Sequence, residues 1–165
     1  MIPIVSKILQ KIEYAILALS LAVMSVIAFA NVISRYFLNI ALGYTEEITI
    51  NLFVWLTFVG ASVGIHRGAH LAFDFLLGAL KGTWKLGLLV FVGGLTTIVF
   101  LITFYYGIEM VKFQYNLKLV TPSLGWPQWI FTLGVPLGSL LCVFRAIQVT
   151  GLELKAHMQK RGETP

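Results

Sequence analysis

"YAILALSLAVMSVIAFANVI", residues 14–33, decides the fold, because it is twenty residues long and carries no charge. A helix rising about 1.5 Å per residue takes such a run across roughly 30 Å of hydrocarbon. Three more uncharged runs follow at residues 48–65, 86–108 and 126–144. Lipid offers no partner for a bare peptide group, so each run must satisfy its own backbone as a helix; the ten-residue alternating segments of a β-barrel are missing. Composition agrees. Of 165 residues 58% are hydrophobic and 12% charged, with mean hydropathy +0.88, against roughly 25% charge in soluble domains. The expected fold is an all-α membrane protein, one four-helix domain over residues 1–165 with a polar tail from about 150 to 165.

Lys7 and Lys11 ahead of the first run, and Ala28-Phe29-Ala30 near its end, imitate a secretory signal. The apolar stretch is longer than the usual 7–15 residues of a signal, so it is read as a retained span. Of the twelve basic residues, nine lie at the N-terminus, between spans two and three, or at the C-terminus. Arg35, Lys112 and Lys118 lie on the other side. The positive-inside rule then puts both termini in the cytoplasm. Tyr36, Tyr44, Tyr105, Tyr106, Tyr115, Trp126 and Trp129 gather at the outer boundary and Trp84 at the inner one, as interfacial anchors do. The charge asymmetry accounts for the net +5 and gives no ground for nucleic-acid binding, which calls for a clustered basic face.

Pumps and channels keep ionisable groups near the midplane. Here the span middles are uncharged, and Glu13 and Arg145 fall near span ends, where they are expected to reach headgroups. Lone Cys142 reads as a small buried apolar group. Gly60, Gly64 and Gly68 in span two, and Gly134 with Gly138 in span four, recur every four residues; such faces admit a close backbone, either inside the bundle or from a partner's helix. Pro136 lacks an N–H and is expected to leave the Thr132 carbonyl unpaired and kink span four.

In the outer turn, Thr45 is expected to cap span two, Glu46 and Glu47 to meet its positive end, and Arg35 to pair with either acid. These residues serve either as anchors or as an outward or inter-subunit contact. The outer loop of residues 109–127 has Pro122, Gly125 and Pro127 to hold a non-helical shape. In "HRGAHLAFD", residues 66–74, His66, His70 and Asp74 are spaced four apart. Metal ligation is one reading. It is disfavoured by the absence of an HExxH pattern and by Gly68 within the pair. The favoured reading is an interfacial helix over about 67–80, with Arg67 toward headgroups and His70 beside Asp74. No metal or cofactor is expected.

The stretch "NVISRYFLN…GYTEEITINLFVWLTFVGASVGIHRGAHLAFD", residues 31–74, resembles the small membrane subunit, DctQ type, of tripartite ATP-independent periplasmic (TRAP) transporters. Arg35 closing span one, Glu46 and Glu47 opening span two, Gly60 within it, then Arg67, His70 and Asp74 follow the family order; Tyr44 departs from a frequent Trp. The resemblance implies a non-enzymatic scaffold in the bacterial inner membrane. Its partners would be lipid, a large multi-span subunit carrying substrate and sodium, and a periplasmic binding protein delivering an organic acid such as a C4-dicarboxylate, sialic acid or other sugar acid. Contact candidates are Arg35, Glu46, Glu47, Gly60, Gly64, Gly134 and Gly138. The rival readings are a self-contained four-span exporter, for which Glu13 is the candidate membrane carboxylate, and a haem- or metal-bearing redox subunit.

Overall fold

The computed structural model describes residues 2–40, 42–66 and 83–162, with side chains over 8–40, 42–66 and 87–155. The helices are α1 (Ile2–Ile33), prolonged by a π-helical turn (Ser34–Leu38), α2 (Gly43–His66), α3 (Thr83–Asn116), the short α4 (Gln128–Thr132) and α5 (Gly134–Gly162). Among the described residues, four helices are long and apolar enough to cross a membrane. The expected interfacial segment at 67–80, with Arg67, His70 and Asp74, lies outside the described residues. Each of the four long helices runs past at least one end of its expected span. α3, at 34 residues, is about 51 Å long at 1.5 Å per residue, and its last turns carry Glu109, Lys112 and Gln114 beyond the apolar run. The stretch expected as a polar tail continues α5 as far as Gly162.

Span one stops where Asn39 enters the left-handed region at φ 55° and its N–H turns back to the Ser34 carbonyl. Asparagine accepts that conformation better than most side chains. The Ser34 hydroxyl donates to the Ile40 carbonyl at 3.0 Å, and Asn31 Oδ1 accepts the Leu42 amide at 3.4 Å. Helix α2 begins at Gly43, two residues before the expected cap. Thr45 therefore sits inside the first turn, its hydroxyl donating back to the Leu42 carbonyl. In span four, Pro136 interrupts the helix for a single residue within one continuous span. Helix α4 ends at Thr132 and α5 starts at Gly134, but Leu133 between them keeps helical dihedrals, φ −54° and ψ −23°, and its N–H donates to the Trp129 carbonyl at 3.1 Å while its carbonyl accepts the Leu137 N–H at 3.2 Å; the missing N–H of Pro136 is thus absorbed locally.

The helices pack in a row: α1 on α2, α2 on α5, α5 on α3. Lipid tails are as apolar as leucine, so helices here are joined by close fit and polar contacts and not by escape from water. The core is correspondingly thin, with Ile65 of α2 meeting Cys142 and Ala146 of α5, and Ala61, Phe100 and Val149 packed against them. Small residues make the close fits. Gly138 receives Phe58, and a Cβ at Gly134 would stand 2.9 Å from the Trp55 indole. On the other side of α5, Gly93 of α3 receives Thr150, and a Cβ at Gly107 would come within 3.2 Å of Pro136 Cδ.

Gly138→Val is expected to push Phe58 off α5 and cost about 1–3 kcal/mol, the usual penalty of overpacking, read as a lowered melting temperature in detergent. Gly64→Ala, with nothing within 4 Å of the added carbon, should leave that temperature unchanged or raise it slightly.

Candidate functional site

Along α1 one face repeats at alternate intervals of four and three: Glu13, Leu17, Ser20, Met24, Ile27, Asn31 and Ser34, all buried or half-buried. That spacing is the seam of helices packed side by side, and it carries the Glu13 carboxylate toward α2. On α2, Ser62 and His66 are one turn apart on a shared face; on α5, Cys142, Arg145 and Gln148 follow at intervals of three.

These faces converge on a charged centre. Arg145 Nη2 lies 2.8 Å from Glu13 Oε2, and Nε donates to Oε1 at 3.3 Å, the paired-fork geometry of guanidinium on carboxylate. The Ser62 hydroxyl donates to Glu13 Oε1 at 2.7 Å. Arg145 Nη1 donates to Gln148 Oε1 at 3.2 Å and stands 3.4 Å from His66 Nδ1. Glu13 is 1% exposed and Arg145 and Ser62 are 0% exposed. Next to them, Cys142 Sγ contacts the Phe58 carbonyl at 3.4 Å, as its reading as a small buried group anticipates.

This corrects the expectation that Glu13 and Arg145 reach headgroups. Each sits near a span end in sequence, but its helix face points into the row, where the nearest relief for one charge is the other. The missed signal was the four-three repeat, which sets Glu13 in register with Ser20 and Ser34 on the packed side of α1. Chemically the centre is self-contained: both carboxylate oxygens are engaged by Arg145 or Ser62, and the charges cancel. His66 turns its Nδ1 to this cation, while His70 and Asp74 lie outside the described residues.

A second polar knot ties the opposite end. Leu119–Gln128 forms a miniature hairpin: Thr121 N–H donates to the Trp126 carbonyl at 2.8 Å, Gln128 N–H to the Leu119 carbonyl at 2.9 Å, and Gly125 turns at φ 67°. Glu47 clamps its tip, Oε1 accepting the Ser123 amide at 2.6 Å and Oε2 the Leu124 amide at 3.0 Å. Pro122, Gly125 and Pro127 thus do hold a non-helical shape. Glu46 is exposed. Arg35 is also exposed and lines an open recess with Asn31, Tyr36 and Asn39; among the described residues it pairs with neither acid. Of the glycine candidates, Gly134 and Gly138 are filled from within by Trp55 and Phe58, Gly60 has Leu17 3.8 Å from an added carbon, and Gly64 faces open space.

Residues 24–155 match the family described as tripartite ATP-independent periplasmic transporters, DctQ component. The chain is 30% identical over 137 residues to the ectoine TRAP transporter small permease protein TeaB of Halomonas elongata, covering 83% of this chain and 71% of that one. It is 34% identical over 145 residues to a putative TRAP transporter small permease protein of Haemophilus influenzae, covering 87% and 86% respectively. With the C4-dicarboxylate TRAP transporter small permease protein DctQ of Rhodobacter capsulatus it shares 32% identity over 119 residues, 67% of this chain and 49% of that one. The matched region includes Arg145, all of α2 and both residues of the Glu46-Glu47 pair, whereas Glu13 precedes it. With its four apolar helices, the chain belongs to the DctQ component family of tripartite ATP-independent periplasmic transporters, and is a multi-pass inner-membrane transporter subunit rather than an enzyme.

Proposed function

We propose that the chain is the scaffold subunit of a sodium-coupled, binding-protein-dependent secondary transporter for organic acids, with both termini in the cytoplasm. It braces a large multi-span subunit that carries substrate and sodium, and its outer end, including Glu46, helps dock the periplasmic binding protein. The observation that carries this reading is the closed ion pair. A transport site needs a polar group free to take and release its cargo, whereas Glu13 and Arg145 hold each other at 2.8 Å. The same fact counts against the exporter reading, since Glu13 has no carboxylate oxygen left over for a cycling proton. The relatives' names point to different cargoes, ectoine and C4-dicarboxylate, which fits a subunit that does not itself select the solute.

In this reading the pair locks the base. A partner that moves its cargo through the bilayer works against something that stays still, and α1 is pinned to α5 through Glu13 and Arg145 across α2. The clamped hairpin gives the outer end a fixed shape, and the exposed Glu46 beside it offers a charge to a docking surface.

The purified chain alone in liposomes should show no solute or proton flux, and a tagged copy should bring down a much larger polytopic protein; flux from the chain alone would return the exporter to first place. Glu13→Ala should cost about 3–5 kcal/mol by stranding Arg145, seen as a lowered melting temperature and loss of the co-purifying partner. The exchange Glu13→Arg with Arg145→Glu should recover part of both. Reversing Glu46 and Glu47 together to Lys should weaken uptake in cells without reducing membrane insertion measured by fractionation; unchanged uptake would remove the docking role.

A further inference from the structure

Helix α3 ends in an unusual way. The Leu119 amide donates to the Gln114 carbonyl at 3.1 Å and the Lys118 amide to the Tyr115 carbonyl at 3.2 Å. This pair of bonds defines a Schellman cap whose left-handed residue is normally glycine. Here that residue is Lys118, at φ 50°. A long side chain stands where a bare Cα suits the backbone better, and such outliers gather at ligand sites.

Lys118 borders a cleft of about 450 Å³, within the roughly 300–1,000 Å³ typical of small-ligand sites. Its other walls are Tyr115, Asn116, Leu119, Val120, Pro127 and Trp129. Three elements build it, the end of α3, the hairpin and the start of α4, and the hairpin is held by its own ladder and by Glu47. Tyr115 and Trp129 meet edge to face with ring centroids 5.8 Å apart. The cleft lies at the ends of two of the helices long and apolar enough to cross a membrane, at Asn116 and Gln128, and in the proposed orientation that end faces the outer headgroups. Lys118 is its one charged lining residue, and among the described residues its ammonium has no hydrogen-bond or ion-pair partner.

We infer that this cleft binds a membrane phospholipid, with Lys118 pairing with the headgroup phosphate. Asn116 and Tyr115 line the same cleft and add polar groups to it, and Leu119, Val120 and Pro127 give the glycerol and first methylenes an apolar wall. A single exposed cation holds a free phosphate weakly in water. An amphiphile already confined to the bilayer adds the apolar contacts and arrives at high local concentration.

The test uses the full chain, purified in detergent, stripped of lipid, and titrated with phosphatidylglycerol while bound lipid is counted by native mass spectrometry. One lipid should be retained per chain. Lys118→Gly should weaken retention about tenfold, the scale of one charge-assisted hydrogen bond, while the lipid-free protein melts at the same or a higher temperature because glycine fits the cap. Lys118→Arg should keep the lipid, and millimolar glycerol 3-phosphate should not displace it. Undiminished retention by Lys118→Gly would overturn the proposal. So would displacement by glycerol 3-phosphate, which would make the ligand a soluble phosphate compound. A Lys118→Gly variant that is less stable when lipid-free would assign the lysine to the α3 terminus instead.

Discussion

A charge that cannot reach water must meet its opposite, and in this chain Glu13 and Arg145 do so across three helices. The centre spans the row: Glu13 from α1, Ser62 and His66 from α2, Arg145 and Gln148 from α5. Because lipid provides no drive to pull apolar helices together, the pair has an importance it would lack in a soluble core of the same size. It fixes the height of α1 against α5, since a shift of one turn would move Glu13 about 5.4 Å away from its partner.

Around that centre the other contacts fall into place by size. Phe58 lies against Gly138 and Trp55 against Gly134, so α2 and α5 come as close as their backbones allow, and Gly93 and Gly107 do the same for α3. The opposite end is closed by a different device. Glu47 holds the hairpin by its backbone amides, so the tip keeps its shape whatever side chains Ser123 and Leu124 carry. One end of the row is thus fixed by a side-chain ion pair and the other by a carboxylate on peptide groups.

Hydropathy alone displayed the four spans, because length and the absence of charge are properties of one helix at a time. Proline in the fourth run was also legible, and the structure answers it with a one-residue interruption at Leu133 inside a single span. What escaped were the relations between helices. Glu13 and Arg145 are 132 residues apart, and depth along a span does not tell whether a side chain faces headgroups or a neighbouring helix. Glu47 looked like a companion of its own helix terminus, yet it serves amides 76 and 77 residues further on. The glycine stripes announced a close approach without saying to whom; Gly134 and Gly138 turned inward, while Gly64 kept an open face.

Packing helices in file has a geometric consequence. α1, α2 and α5 all meet at the Glu13–Arg145 pair, while α3 joins them along α5. Only 6% of the most apolar stretch of α1, and of α3, is buried, so these two helices turn nearly their whole girth outward, and a second protein lying alongside would find a ready bank there.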